Sequence, residues 1–127
     1  MKKRSRIILF IFLGILIFGL IMAGYGTLGL KKVLNEDIES IDLFLVEDGE
    51  YIGEYDNYRW SNTVEVTIEN HEITAIRIIE SGNQSQAKIL DEIINAVLSE
   101  QQVDIDTVSG ASATTNSLLK AIEDALK

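Results

Sequence analysis

Apolar and polar positions divide the chain into two regimes. From Ile7 to Leu30 run 24 consecutive residues without a charge, dense in Ile, Leu, Phe and Gly. A helix of about 20 apolar residues spans the hydrocarbon core of a bilayer, so this run is long enough with some tilt. Beyond it the pattern becomes periodic. Val64, Val66 and Ile68 alternate with Thr63, Glu65, Thr67 and Glu69, which predicts a strand with one buried and one wet face. Asn70-His71 stands where a two-residue hairpin turn belongs, and Ile73 to Ile79 returns as a partner strand, apolar on both faces and so expected to be central. Tyr51, Gly53 and Tyr55 mark an earlier strand, whose internal glycine predicts close approach of another backbone or a ligand. The run Ile41 to Val46 reads as a further short strand opening the folded domain.

The period then lengthens. Leu90, Ile93, Ile94, Val97 and Leu98 fall on one face of a helix, with Asn83 or Ser85 as a cap. A second amphipathic helix is expected from about Asn116 to the C-terminus, with Leu118, Ile122, Ala125 and Leu126 on one face. A hairpin or meander followed by helices reads as α+β: a small antiparallel sheet with helices packed on one face, preceded by one transmembrane helix. The expected division is an N-terminal anchor over residues 1–30, a juxtamembrane linker or short first element over 31–46, and one domain over 47–127.

Charge gives the arrangement a direction. Lys2, Lys3, Arg4 and Arg6 precede the apolar run, which by the positive-inside rule keeps the N-terminus cytoplasmic and exports the rest. A cleavable signal peptide is the rival reading. Such peptides have apolar regions of about 7–15 residues, and the only passable cleavage site here is Gly24-Tyr25-Gly26, so a retained single-pass anchor in the cell membrane is expected. All 20 acidic residues follow the run, against seven Lys and Arg, a net charge of −13 for the exported part. That disfavours nucleic acid, whose phosphates need a basic face. With no Cys and one His, disulfides, thiolate chemistry and a zinc site are not expected. His71 reads as a solvated turn residue.

The chemistry-bearing segment lies between the two helices. Five hydroxyl residues, one Gly and two Ala stand within the nine positions from Thr107 to Thr115, just before a helix. Small residues let a ligand approach the backbone, and a helix start offers unpaired N–H groups and the positive end of a dipole to a phosphate. Ser and Thr in this position also serve as plain helix caps, and physics alone leaves both readings open.

The stretch Asp106-Thr107-Val108-Ser109-Gly110-Ala111-Ser112-Ala113-Thr114 resembles the signature of the FMN-binding domain family, found in the C and G subunits of bacterial sodium- and ferredoxin-linked redox pumps. Asp48-Gly49-x-Tyr51-x-Gly53, the strand to Ile68, Ile73-x-x-Ile76-x-Ile78 and the final helix match the family's usual order, so the resemblance covers about residues 47–127. It implies FMN carried through a phosphoester to a hydroxyl, attached outside the cytoplasm by a flavin transferase that uses FAD and magnesium. The acceptor falls on Ser112, where the family most often has Thr. Ser109, Gly110 and Ala111 would clear space around the phosphate, Asp106 would help the transferase recognise the acceptor, and Thr114 and Thr115 are the next hydroxyls, favoured as caps. Ser81-Gly82-Asn83-Gln84-Ser85 departs from the family's Glu-Thr pair near the flavin. Of Tyr51, Tyr55, Tyr58 and Trp60, one or two would stack on the ring, Tyr51 being the more structural. The resemblance implies an extracytoplasmic electron carrier with membrane or extracellular redox partners rather than a stand-alone enzyme. A non-redox module of the same fold, binding FMN weakly or not at all, is the alternative.

Overall fold

The computed structural model describes residues 2–82, 84–105 and 112–127. The expectations placed on Asn83, Asp106, Ser109, Gly110 and Ala111 lie outside the described residues. Helix α1 (Lys2–Thr27) is free of charge from Ile7 onward and has no buried residue. It is long enough to cross a bilayer, by length and composition either a membrane anchor or a signal sequence. At about 1.5 Å per residue its 26 residues reach beyond the roughly 30 Å hydrocarbon core. The short helix α2 (Leu30–Leu34) follows, with Gly29 in the left-handed region between them (φ 79°). Residues 36–42 then have no regular secondary structure, and a 3-10 turn spans Leu43–Leu45.

The sheet is a three-stranded antiparallel meander, β1 (Gly49–Tyr55), β2 (Asn62–Glu69) and β3 (Glu72–Ser81), with β2 in the middle. Helices α3 (Ala87–Glu100) and α4 (Ser112–Leu126) complete the domain, α4 lying across β1 and β2 while α3 packs on β3 and α4. The α+β expectation therefore holds. The alternation read in β2 is real: Val64, Val66 and Ile68 are fully buried, and they meet Leu118, Leu119 and Ile122 of α4 in one core with Ile93 and Val97 of α3. Asn70 and His71 both take positive φ (52° and 61°), the backbone a two-residue hairpin turn requires.

Gly53 is the residue that lets α4 lie directly on β1. A Cβ there would run into the carbonyl oxygen of Ala121 and the backbone nitrogen of Ala125. The close approach expected of this glycine is to a helix backbone.

Four details of the expected fold are corrected. Ile41 to Val46 is not a strand. The Asp42 carboxylate accepts from the Phe44 N–H and turns the chain, leaving Phe44 and Leu45 about 80% exposed. Ile41 instead exchanges both backbone hydrogen bonds with the side-chain amide of Gln102, and Gln101 does the same for Ile73. Second, β3 is an edge strand among the described residues, not a central one. Its run of apolar residues comes from two register shifts. Ile73, Ile76 and Ile78 stand opposite Ile68, Val66 and Val64, and Ile79 falls at the second shift, 44% exposed. One apolar face read across bulges resembles two. Third, α3 has Gln86 at its N-cap position with no side-chain cap, so Ser85 does not cap it. Fourth, α4 begins at Ser112, four residues before the expected start.

Residues 31–41 are bound into the domain along α4. Val33 is fully buried, the Asn116 side-chain amide donates to the Val33 carbonyl (3.0 Å), and Lys120 donates to the Asp37 carbonyl (3.2 Å). The Glu39 N–H donates to the Glu123 carboxylate, which also meets Lys127 at 2.7 Å.

Candidate functional site

The hydroxyl-rich segment ends in the first turn of α4, and the described part of that turn is enclosed. Ser112 is the first helical residue and Ala113 is buried. Thr114 is 2% exposed and donates from its hydroxyl to the Gln86 side-chain oxygen, which ties the start of α4 to the start of α3. Thr115 is completely buried and its Oγ1 has no hydrogen-bond partner. Both threonines thus sit inside the helix and neither caps it from outside, which corrects their reading as caps. Ser117 donates to the Thr114 carbonyl and accepts from the Asn62 amide, each at 2.9 Å.

Asn62 was not singled out by sequence reasoning, yet the signal was there. Carrying the inward alternation of Ile68, Val66 and Val64 two residues back puts Asn62 on the buried face, and a polar residue there needs a purpose. Its amide nitrogen is satisfied, while its Oδ1 is buried without a partner. The Trp60 Nε1 is likewise buried and unpartnered. The turn Tyr58–Trp60, the first residue of β2 and the first turn of α4 converge here. Three unspent hydrogen-bonding atoms at one end of a small domain are unusual, since an unpaired buried polar group costs about 1–3 kcal/mol.

Two clefts meet at Ser81, close to this end. One, of about 250 Å³, is polar and lined by Ser61, Asn62, Thr63, Glu80, Ser81 and Gly82. The other, of about 270 Å³, is more apolar and lined by Ile78, Ile79, Ser81, Ala87, Leu90 and Asp91. Gly82 closes the first against the 56–61 loop: its N–H donates to the Ser61 carbonyl at 2.9 Å, and a Cβ would strike the Arg59 backbone. Gln86 also escaped sequence reasoning, and Gly82 entered it only within the Ser81 to Ser85 departure from the family's pattern.

The aromatic residues separate clearly. Tyr51 donates to the Glu47 carbonyl at 2.6 Å, a structural tie. Tyr55 is buried beneath Lys32 and bonded to Glu36, and burial together with the Glu36 carboxylate pushes its pKa up to about 12. Trp60 is buried under the Arg59 guanidinium, 4.6 Å from the ring centre, and Tyr58 is exposed. His71 is more than solvated, for its ring pairs with Phe44 and its Nδ1 lies 3.1 Å from the Leu43 carbonyl. Among the described residues no group of His, Asp and Glu is arranged to hold a metal.

Comparison with known families identifies the domain. The model of the FMN-binding domain matches residues 58–127, more than half of the chain, and the chain belongs to that family. The match starts at Tyr58 rather than near residue 47, and it takes in β2, β3, both domain helices and the whole segment around Ser112. No curated protein matches the chain. Membership implies FMN as the cofactor, and the residues present fit such a group. A helix start follows a run of small and hydroxyl residues, polar atoms beside it are unpartnered, and polar and apolar clefts adjoin at Ser81.

Proposed function

We propose that this chain is a membrane-anchored, extracytoplasmic flavoprotein that carries FMN covalently on Ser112 and relays electrons. The observation that carries the reading is the family match across a segment whose Asp106-to-Thr114 motif leads into the first turn of a buried helix. Bound FMN would supply the redox chemistry, taking up and giving back electrons, and the protein supplies position and electrostatics.

Each residue then has a defined task. Ser112 would hold FMN as a phosphoester on its hydroxyl oxygen, with FAD as the donor, AMP as the leaving group and the hydroxyl proton passing to solvent or to the transferase. Ser109, Gly110 and Ala111 leave room for the phosphate, and Asp106 is read by the magnesium-dependent flavin transferase. The N-terminal end of α4 favours the phosphate charge by up to about 1 kcal/mol. Ile78, Ala87 and Leu90 offer apolar surface for the flat ring, and Ser61, Thr63 and Ser81 offer polar contacts for the ribityl chain. Thr114 and Thr115 support the turn from within. The exchange partners are a membrane-linked donor and an external acceptor or partner flavoprotein, and the chain by itself turns over no substrate.

Co-expression with a flavin transferase followed by intact-mass measurement tests this reading. The expected gain is one FMN less one water, abolished in Ser112→Ala. A chain that gains nothing overturns covalent attachment, and a gain that survives Ser112→Ala overturns the acceptor. A second reading rests on the two departures from the family pattern, Ser112 in place of Thr and Ser81 to Ser85 in place of the Glu-Thr pair. In it the fold is kept as a binding module without redox work. An absence of visible absorbance after free FMN is offered favours that version.

A further inference from the structure

The end of the domain that holds the start of α4 is also the end at which α1 arrives. Gly29 stands two residues beyond α1, and the Asn57 amide donates to its carbonyl at 2.8 Å. Asn57 is itself buried, and its N–H donates to Ser61 Oγ at 2.9 Å. The left-handed φ of Gly29 strains any side chain placed there, and a Cβ would also displace the Asn57 amide that makes the tie. Four residues on, the Val33 carbonyl takes the Asn116 amide, one helical turn beyond Ser112. At about 1.5 Å per residue, Ser112 and Asn116 are roughly 6 Å apart along α4. Arg59 reaches back beside Gly26, and Lys32 lies over Tyr55. The junction is a collar with two buried amide ties, not a free linker.

Charge follows the same axis. Lys31, Lys32 and Arg59, three of the seven cations beyond the apolar run, stand at the collar, all exposed. The acids at this end are Glu36 and Asp56, which accept from the Tyr55 and Ser61 hydroxyls, and Glu80, which lines the cleft beside Ser61. The opposite end comprises residues 42–50 and the 69–72 hairpin, joined by the Asp48 carboxylate accepting from the Asn70 N–H. These two segments hold Asp42, Glu47, Asp48, Glu50, Glu69 and Glu72 and no Lys or Arg, and the one cation in the cleft that Asp42 and Glu47 line is Lys127 of the C-terminus. Anionic headgroups attract basic residues by about 1 kcal/mol each near the surface and repel acidic ones.

We propose that the Gly29–Asn57 and Val33–Asn116 ties lock the domain so that the start of α4 faces the outer leaflet. Lys31, Lys32 and Arg59 lie on anionic lipid headgroups and the acidic end points into water. This rests on the reading of α1 as a retained anchor. It brings the Ser112 end within reach of a donor in the membrane.

The cysteine-free chain makes the test clean. A single fluorophore is placed on Tyr58→Cys at the collar or on Leu45→Cys at the far end, both exposed positions. The full chain is then reconstituted into phosphatidylglycerol–phosphatidylcholine vesicles that carry a headgroup quencher. Across a domain roughly 25–30 Å wide, quenching at Tyr58→Cys is expected to exceed that at Leu45→Cys several-fold. Adding Asn57→Ala and Asn116→Ala should bring the two toward equality while Trp60 emission still reports a folded domain. Equal quenching in the chain with its ties intact overturns the orientation. Intact mass on the same sample separates the readings. A chain cut behind the apolar run overturns both anchor and orientation. A full-length chain without FMN that keeps the quenching difference supports the orientation and counts against the flavin alone.

Discussion

Helices α1 and α4 are opposite solutions to the same need. The first, from Ile7 onward, is apolar on every side and buries none of its residues. The second carries threonines, an asparagine, a serine and a glutamate, yet from Ala113 to Leu126 only Lys120 and Asp124 escape burial. A helix apolar all round asks for lipid as its solvent. A mixed helix enclosed by protein needs neighbours to answer its polar groups, and here, from Ala113 onward, all but the Thr115 hydroxyl find one. Thr114 is answered by Gln86, Asn116 by Val33, Ser117 by Asn62, and Glu123 by Lys120, Lys127 and the Glu39 N–H. Hydropathy alone ranks α1 as the more deeply buried helix, and within the chain it is the less.

The contrast is broken most severely at Gly53. Gly53→Val drives a side chain into the α4 backbone, and overpacking of this kind costs about 3 kcal/mol or more. Trp60 emission during denaturation of the full chain in detergent should show the domain unfolded or strongly destabilised. Next comes a matched pair. Leu118→Ala empties a fully buried site and should cost about 3 kcal/mol. Leu16→Ala on α1 should leave the same transition unmoved within about 0.5 kcal/mol, as for surface changes away from packed features.

Glu123 comes third. Burial alone would raise its pKa, but the Lys127 ammonium, the Glu39 N–H and Lys120 outweigh this and hold it below the ordinary carboxylate value of 4.5. A depressed folded pKa contributes stability that is complete above the unfolded value and is lost as pH falls through the folded one. Glu123→Gln should therefore cost about 2 kcal/mol at neutral pH. Its penalty should begin to shrink as pH falls below about 4.5 and vanish only through the lower folded value, where the wild-type carboxylate takes up its proton. A penalty that grows on acidification has the wrong sign for this arrangement. The smallest effect is expected at Thr115. Thr115→Val removes an unpartnered hydroxyl at nearly constant shape and should stabilise by about 1 kcal/mol. Loss of FMN attachment in that variant would mean the hydroxyl serves the cofactor.

The same contrast explains what the sequence made legible. Uniform apolarity exposes α1 to a simple reading, and a strict period of two exposes β2. The bulges of β3 disguised one face as two, because periodicity counts residues and not ladder partners. The early start of α4 was hidden by its own polarity, since Thr114, Thr115, Asn116 and Ser117 resemble a cap or loop until Gln86, Val33 and Asn62 are seen to enclose them. Those partners lie 28, 83 and 55 residues away, and no local pattern announces them. The motif from Asp106 to Thr114 was legible by resemblance, which named a family and an acceptor that local physics left open.

The account turns on one oxygen atom. Fragmentation of the protein co-expressed with a flavin transferase can assign the added FMN among Ser109, Ser112, Thr114 and Thr115. The account predicts the adduct on Ser112 alone, where α4 begins, and none on the two enclosed threonines. An adduct on Thr114 or Thr115, or a chain that carries none, would contradict it.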